Sequence, residues 1–360
     1  MSDRVYNFSA GPSMLPLSVL EQAASEMTNY RGSGMSVMEM THRGKIYQAI
    51  FDEVKADLRR VMSVPESHEI LFMQGGATFQ FAAVPLNLMG ENGTADYAVT
   101  GNFAKLAAKE AKKYGNVNIV ASTEETNNTT IPTQDELKLS NNASYFYYCA
   151  NNTIYGTEWN YVPETKAPIV CDMSSNILSK PVDVSKFGVL YAGVQKNMAP
   201  AGMAVDIIDK ALAGKELPYT PTIMNYKTMI DKDSMYNTPP CYTIYMLGLT
   251  LKWVEENGGV AGMEKLRNER SSMLYNFLDE SKLFKGAAEK AARSGMNVTF
   301  RTGNEELDAL FVKEATAKGF ANLKGHRNTG GMRASIYNAM PVEGVKALVD
   351  FMKEFEAKNG

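Results

Sequence analysis

The chain has 360 residues, 44% hydrophobic and 21% charged, which allows two domains with separate cores and excludes a disordered or fibrous protein. Its 37 Lys and Arg residues against 40 Asp and Glu residues give a formal net charge of -3, which excludes a global basic surface for nucleic acid or an anionic membrane. A charged N-terminus with no long apolar run, and three cysteines without disulfide or zinc spacing, predict a cytoplasmic protein with no metal site.

In chain order, the first predicted elements form a mainly parallel sheet covered by helices. Seven short apolar runs are candidate strands, and segments of helical periodicity separate several of them. One such segment, residues 102–115, lies between the second and third strands and completes a βαβ unit with them. The strand candidates are EILFM, DYAVT, VNIVA, YFYYC, PIVCD, VLYAGV and MAVDII.

The character of the chain changes after a long predicted helix in the segment CYTIYMLGLTLKWVEENGG, residues 241–259, which Gly258 and Gly259 end. Beyond it, helices alternate with the short strands MNVTF and RASIYNA, and Pro341 begins a C-terminal helix with one apolar face. We therefore predict an α/β fold with a large domain over residues 16–257. Residues 1–15 and 258–360 form a smaller α+β domain.

A glycine turn after the first sheet strand is the first local signal of a ligand site. Gly75 and Gly76 follow EILFM and precede Ala77 and Thr78, which open a predicted helix. Backbone N–H groups and the positive end of a helix bind phosphate at such turns. The same residues also fit a plain tight turn between a strand and a helix, which is the commoner case.

Asp172 and Lys196 are the second and third signals, because Asp172 ends one predicted buried strand and Lys196 lies just past another. The Asp172 carboxylate can pair with a protonated pyridine nitrogen, or it can cap the turn that begins at Met173. A lysine buried beside other cationic or apolar groups has a lowered pKa and can form a Schiff base with a carbonyl group, whereas an ordinary loop lysine is simply exposed. Together with the glycine turn, these residues predict a cofactor site at the carboxyl edge of the sheet.

Longer runs resemble one family over the full length of the chain. They are FSAGPSMLP, SVMEMTHRGK, DMSSNILSKPVDVSKFGVLYAGVQKN, MYNTPP and KGHRNTGGMRASIYNAMPVEGV. With these runs the chain resembles the phosphoserine aminotransferase family of class V aminotransferases. The resemblance implies a pyridoxal-phosphate-dependent enzyme of fold type I, with a mainly parallel seven-stranded sheet in its large domain.

The resemblance also assigns residues to the cofactor, pyridoxal 5'-phosphate. It implies that Lys196 forms the Schiff base and that Asp172 pairs with the ring nitrogen. The remaining contacts to the ring and phosphate fall on Ala77, Thr78, Phe103, Thr153, Gln195, Asn237 and Thr238. The last two are expected from the other subunit, so the resemblance implies a homodimer with shared active sites. For Thr238, a role as a helix cap ahead of Pro239 is the alternative.

For the substrate, the resemblance implies that Arg333 binds the α-carboxylate, a contact that suits a planar guanidinium. Ser9 belongs to the same substrate-binding set. The distal phosphate or carboxylate falls to His42, Arg43, His326 and Arg327, the first two from the other subunit. Because two of these residues are histidines, phosphate binding is expected to weaken as the pH rises through neutrality.

The chain departs from the family's pattern at two positions. Many members place a tryptophan over the cofactor ring, where this chain has Phe103, which keeps stacking but lacks the indole N–H. Enteric members have an arginine at the position of Thr78. Its absence removes one cation from the substrate phosphate site and is expected to weaken selectivity for phosphorylated substrates.

The implied reaction transfers the amino group of L-glutamate to 3-phosphohydroxypyruvate and gives O-phospho-L-serine and 2-oxoglutarate. A 4-phosphohydroxythreonine substrate of pyridoxine biosynthesis is a further option. Another aminotransferase of small acids, or a non-catalytic binding dimer with the same fold, remains an alternative. A cysteine desulfurase is excluded because no cysteine follows Cys241. A nicotinamide dehydrogenase is excluded because no glycine motif of the required kind follows a strand.

Overall fold

The computed structural model describes residues 4–360, so residues 1–3 of the predicted small domain lie outside the described residues. The described helices, α1 to α9, are Leu17–Ser25, Lys45–Val61, Gly76–Leu88, Asn102–Ala111, Tyr226–Asp231, Cys241–Glu256, Gly259–Glu280, Glu305–Ala317 and Val342–Asn359. The described strands, β1 to β14, are Tyr6–Asn7, His68–Gln74, Thr94–Val99, Asn116–Ser122, Phe146–Cys149, Asn151–Asn152, Thr157–Glu158, Ile169–Asp172, Val189–Gly193, Met203–Asp209, Lys285–Gly286, Asn297–Arg301, Phe320–Ala321 and Met332–Ser335.

The central sheet has seven strands in the order β2-β10-β9-β8-β5-β3-β4, and each predicted strand is present. The pairs from β9 to β4 are parallel, whereas β10 runs antiparallel to both β2 and β9. The prediction of a mainly parallel sheet is therefore confirmed. Because β10 reverses direction between them, β2 runs the same way as β9, and the two strands end at the same edge.

Helices cover both faces of this sheet, as its nearly continuous apolar strands require. One face packs against α3, α4 and α5. The other packs against α1, α2 and α6. In α2 the buried residues include Tyr47, Ile50, Val54 and Leu58, whose spacing makes one apolar stripe toward the sheet.

A third hydrophobic cluster lies among α7, α8, α9 and the antiparallel sheet β11-β12-β14. On α9 the predicted apolar face is buried at Val345, Leu348, Val349 and Met352, while Val342 is half-buried. The N-terminal strand β1 joins this region through parallel pairing with β13. A small domain made from both ends of the chain remains our prediction.

Two predicted elements are shorter in the structure than the sequence suggests. The helix predicted over 102–115 ends at Ala111, and turns follow it before β4. Of the predicted strand RASIYNA, only residues 333–335 are extended, as part of β14. Among residues 4–360, no helix combines the length and the apolar character needed to cross a membrane.

Candidate active site

The carboxyl ends of β2, β8 and β9 bring the three sequence signals to one edge of the central sheet. β2 leads into the glycine turn, β8 ends at Asp172, and β9 is followed by Gln195 and Lys196. In open α/β sheets, ligands bind outside this edge. The fold therefore places the predicted phosphate, ring and carbonyl contacts in one cleft.

The turn after β2 requires glycine. Gly75 and Gly76 have φ values of 91° and 68°, in the left-handed region that favours glycine, and Gly76 begins α3. The first N–H groups of a helix have no partner within it, so those of α3, including Ala77 and Thr78, are available to an anion. The structure thus has the tight turn between strand and helix that was the alternative interpretation, and that turn also presents hydrogen-bond donors to the cleft.

Gly193, the last residue of β9, keeps the space beside this turn open. A Cβ atom at this position would lie 3.2 Å from Ala77 Cβ, 3.4 Å from Ala77 N and 2.9 Å from Gln195 Oε1. Such distances leave no room for a side chain. Gln195 and the start of α3 therefore both lie next to Gly193. This arrangement agrees with the prediction that both groups bind one phosphate.

Asp172 is buried and its carboxylate is held in one orientation. Its Oδ1 accepts hydrogen bonds from Ser174 N at 2.9 Å and from Ser174 Oγ at 2.6 Å, and Ser174 Oγ in turn accepts from the N–H of Gly193 at 2.9 Å. Among the described residues, none donates a hydrogen bond to Oδ2. The capping role and the ring-nitrogen role therefore use different oxygens, and both fit this residue.

Lys196 is half-buried, which excludes the simple exposed lysine. Its Nζ donates a 2.7 Å hydrogen bond to Thr153 Oγ1 and lies 5.4 Å from the centre of the Phe103 ring. Burial lowers the pKa of Lys196 to about 8, with a smaller contribution from Arg333, against the opposing effects of Asp172 and Cys149. With this pKa about a tenth of the amine is uncharged at pH 7, far more than for an ordinary lysine, and a nucleophile or base requires the uncharged form.

The N-terminal segment covers the backbone of Lys196. Ser13 Oγ donates to the carbonyl oxygen of Lys196, and the Ser13 N–H donates to Gln195 O at 2.9 Å. A Cβ atom on Gly11 would lie 3.4 Å from Lys196 Cγ. Ser9, predicted to bind substrate, belongs to this segment and is half-buried; its Oγ accepts a 3.4 Å hydrogen bond from the N–H of Gly11.

Arg333 lies on β14 and reaches the same cleft from the other side. Its Nη1 donates to Thr153 O at 3.2 Å, so Thr153 contacts both Lys196 and Arg333. Burial lowers the pKa of Arg333, a side chain with no salt bridge to a carboxylate among the described residues. A half-buried guanidinium without a carboxylate partner is suited to bind a substrate carboxylate.

His326 and Arg327 lie in the loop that precedes β14. Burial lowers the pKa of His326, followed by the positive charges of Arg333 and Arg327, so both arginines lie close enough to His326 to disfavour its protonation. His326 is half-buried and Arg327 is exposed. The structure thus brings His326 near Arg333, with Arg327 next to it in the chain.

The other four predicted contacts make no hydrogen bond or ion pair with Lys196, Asp172 or Arg333 among the described residues. His42 is half-buried and Arg43 is exposed, both just before α2. Asn237 and Thr238 are exposed and contact Gln74, whose Nε2 donates to Asn237 Oδ1 at 3.2 Å and to Thr238 O at 2.8 Å. Because α6 begins at Cys241 with Pro240 as its N-cap residue, Thr238 is not the cap of that helix.

Sequence reasoning missed Ser174, Ser13 and Gly193, which orient the predicted site residues. Ser174 carried a recognisable signal, since a serine two residues after an aspartate often bonds back to that carboxylate. Gly193 could be singled out only as a glycine next to the lysine turn. Ser13 carried no such signal, because its contact spans 183 positions of the chain.

The residues present fit pyridoxal phosphate. Free N–H groups and a space that only glycine leaves open suit the phosphate, Phe103 suits the ring face, and Asp172 and Lys196 suit the two reactive ends. This fit rests on the geometry of the side chains that line the cleft.

Comparisons with known proteins give the same result over the full length. The family described as "Aminotransferase class-V" matches residues 5–348. Phosphoserine aminotransferase from Bacillus cereus is 51% identical over 358 residues, 99% of each chain. The solved phosphoserine aminotransferase from Bacillus circulans subsp. alkalophilus has a TM-score of 0.98 at 44% identity and 100% coverage of both chains. The pyridoxal-phosphate-bound enzyme from Trichomonas vaginalis has a TM-score of 0.94 at 42% identity, covering 97% of this chain and 100% of that one.

Proposed function

Since the chain belongs to the phosphoserine aminotransferase family of class-V aminotransferases, it is a pyridoxal-phosphate-dependent aminotransferase, and we propose that Lys196, Asp172 and Arg333 carry its reaction. The reaction transfers the amino group of L-glutamate to 3-phosphohydroxypyruvate and yields O-phospho-L-serine and 2-oxoglutarate, a step of serine biosynthesis. The assignment of residues rests on one observation about the Lys196 amine. It is half-buried at the same sheet edge as Asp172, donates a hydrogen bond to Thr153 and has a lowered pKa.

Pyridoxal phosphate, when bound, supplies a carbonyl carbon that takes up the amino group and a pyridine ring that withdraws electrons from the substrate Cα. The Asp172 carboxylate would keep the ring nitrogen protonated through Oδ2, while Ser174 holds Oδ1. The N–H groups of Ala77 and Thr78, with Gln195, would bind the phosphate. Phe103 would pack on the ring, and Thr153 would bind the ring oxygen.

Lys196 has two tasks in this proposal. Its Nζ would hold the cofactor covalently between reactions and, once released, would accept the proton from the substrate Cα and deliver it to the cofactor's former carbonyl carbon. A pKa of about 8 serves both tasks, because the uncharged amine is available near neutral pH and still binds a proton readily. The hydrogen bond to Thr153 keeps Nζ inside the cleft.

Arg333 binds the α-carboxylate that every amino-acid substrate shares, and Ser9 lines the same pocket. His326 and Arg327, close to Arg333, bind the distal phosphate of phosphoserine or the distal carboxylate of glutamate. Because 4-phosphohydroxythreonine presents the same two anionic ends, we include it as a further substrate, in pyridoxine biosynthesis.

A homodimer completes the site in this proposal. His42, Arg43, Asn237 and Thr238 have no described contact with Lys196, and exposed apolar side chains lie close to them in the sequence. Met35, Met38, Ile46 and Tyr236 have exposed fractions of 38%, 59%, 41% and 46%. Exposed apolar surface marks interfaces, and we assign these four side chains to one. A second copy that covers them would carry His42 and Arg43 into its partner's cleft.

Mixed dimers test this arrangement. Lys196→Ala and Arg43→Ala chains, each weakly active or inactive alone, should regain activity when subunits exchange, because one of the two sites then has both an intact Lys196 and an intact Arg43. A mixture of two Lys196→Ala preparations is the control. Mass spectrometry would first demonstrate that subunits have exchanged. If activity then failed to recover, each site would be built within one chain.

The substrate assignment is tested by single-turnover loss of the cofactor's absorbance with a panel of amino acids. Phosphoserine and glutamate should bleach the enzyme at far lower concentration than serine or aspartate. Equal responses to all four would favour another aminotransferase of small acids, and protein that takes up no cofactor would favour a non-catalytic dimer.

A cytoplasmic location is also part of the proposal. Cys149 and Cys171 are free buried thiols within the central sheet, and Cys241 is free and half-buried. Reduced thiols of this kind are typical of a reducing compartment. Fractionation of cells that produce the protein would test the location directly.

A further inference from the structure

Asp206 is a buried acid for which the proposed reaction has no use. It lies in the middle of β10 with no exposed surface, and both of its carboxylate oxygens lack a hydrogen-bond partner among the described residues. An ionised carboxylate in such a place costs far more than a lost hydrogen bond. Asp206 is therefore expected to be protonated and to have polar neighbours that can form hydrogen bonds with it.

The sheet register places Asp206 in one row with the catalytic carboxylate. Asp206 pairs with Tyr191 on β9, and Tyr191 pairs with Asp172 on β8. Residues directly opposite each other on adjacent strands point to the same face of a sheet. Two strand spacings separate the acids, about 10 Å. Both acids thus point to the face that α3 covers.

Polar neighbours lie between Asp206 and α3. Tyr226, buried on α5, donates its hydroxyl hydrogen to Gln80 Oε1 at 2.9 Å, and Gln80 is itself buried on α3, one turn after Gly76. The Gln80 amide nitrogen has no acceptor among the described residues. Burial raises the pKa of Tyr226, and Asp206 raises it further, so this carboxyl group is close to the Tyr226 hydroxyl.

The unmet needs of these groups are complementary. Gln80 has amide hydrogens without an acceptor, and Asp206 has oxygens without a donor. An uncharged Asp206 offers a carbonyl oxygen to Gln80 and its own proton to the hydroxyl of Tyr226 or Tyr191, directly after a small side-chain rotation or through one water. All of these groups are then satisfied without a buried charge.

We propose that Asp206 is a positioning residue, an uncharged carboxylic acid that links β10 through Gln80 to the phosphate-binding turn of α3. The inference rests on the proposed function, since it assumes that Ala77 and Thr78 bind the cofactor phosphate. α3 packs directly on β9 and β10, and Gln80 follows Thr78 by only two residues. Loss of the link lets the first turn of α3 shift and weakens the hold on the phosphate.

The protonation of Asp206 is tested by its effect on stability against pH. Burial, followed by the charge of Asp172, raises the pKa of Asp206 well above its usual value. Its folded pKa exceeds its unfolded pKa, so its contribution to stability is fully present below the unfolded pKa, about 3.9, and is lost as the pH rises toward the folded pKa. The difference in melting temperature, Asp206→Asn minus wild-type holoenzyme, should therefore grow as the pH rises from 4 to 7. A constant difference would show that Asp206 is ionised in the folded protein.

The positioning role is tested by the rate at which holoenzyme loses pyridoxal phosphate after dilution, followed by absorbance. Asp206→Leu should release it about fivefold to tenfold faster, the effect of one lost hydrogen bond, whereas Asp206→Asn, which keeps a carbonyl oxygen, should stay within about twofold of wild type. Gln80→Leu should match Asp206→Leu, and the double variant should be no worse than either. Ile208→Val, on the same strand and face, is the control for damage to the core.

The outcomes separate this inference from the proposed function. Wild-type protein that binds no pyridoxal phosphate would contradict the function itself. Wild-type protein that binds it, with equal release rates from the Leu and Asn variants, would overturn only the role of Asp206. Additive effects of Asp206→Leu and Gln80→Leu would likewise overturn the link between them. If Asp206→Leu does not fold, the release rates of Asp206→Asn and Gln80→Leu still decide the question.

Discussion

The two halves of the cleft differ in how completely one chain builds them. Around Lys196, nearly every polar group is hydrogen-bonded: Thr153 joins Lys196 to Arg333, and Ser174 joins Asp172 to Gly193. The anion-binding half consists of side chains on turns and loops, and several of them, including Arg43 and Arg327, are exposed. In the proposed function, the reacting groups are therefore preorganised within one chain, whereas recognition of the distal anion depends on exposed side chains and on the proposed second subunit.

The sharpest way to test the preorganised half is to remove its amine. Lys196→Ala should lower turnover about a thousandfold or more, because no other group can both hold the cofactor and move the proton. Cofactor should still bind, since its phosphate and ring contacts do not use Lys196. Absorbance and steady-state rates measure both effects, with exposed Lys186→Ala as the control.

Borohydride reduction of the wild type adds a direct check, since it should fix the cofactor to the peptide that contains Lys196. Attachment to any other peptide would show that Lys196 is not the reactive amine, and the contrast between the two halves would then be wrong.

A pair of arginine variants tests the border between the halves. Arg333→Ala should lower kcat/KM for phosphoserine, glutamate and serine alike by about tenfold to a hundredfold, because each loses its α-carboxylate contact. Arg327→Ala should raise the KM for phosphoserine about tenfold and leave serine nearly unchanged.

Arg301→Ala is the matched control for that pair, since Arg301 is an exposed arginine on β12 outside the proposed contacts. Equal losses for serine and phosphoserine in the Arg327 variant would show that the distal phosphate is bound elsewhere.

The smallest expected effect concerns pH. Burial and the nearby arginines lower the pKa of His326 below 6.5, so its positive charge appears only in more acidic solution. The ratio of phosphoserine affinity, wild type over His326→Asn, should therefore rise by up to about fivefold as the pH falls through the range below 6.5. Taking the ratio cancels the titration of the substrate phosphate itself. A ratio that changes only above pH 7 would contradict this account.

That window differs from the one expected from the sequence, which placed the change at neutrality. The sequence shows that His326 stands beside Arg327, but it does not show that Arg333 is close to His326. The proximity depends on how β14 and its preceding loop fold against the sheet. Most of the site geometry that the sequence could not predict consists of such distances, between residues that only the tertiary structure brings together.

Local patterns predicted the seven strands and the turns after β2, β8 and β9, because apolar runs and glycine placement are properties of short segments. The direction of β10 was hidden, since an apolar strand reads alike in parallel and antiparallel sheets. Asp206 was overlooked for a related reason: within MAVDII a single acid looks like an ordinary exposed position. The assignment of residues to a second subunit came only from the family resemblance.

The antiparallel insertion of β10 has a consequence for the order in which the protein can fold during synthesis. β2 is an edge strand, and its partner in the sheet is β10, at Met203–Asp209. Until the ribosome has released that later segment, β2 and the glycine turn behind it have no neighbouring strand to fix them. Parallel pairs such as β3 with β4 close much shorter loops and can form earlier. The glycine turn, encoded early, is therefore expected to be among the last parts of the central sheet to take shape.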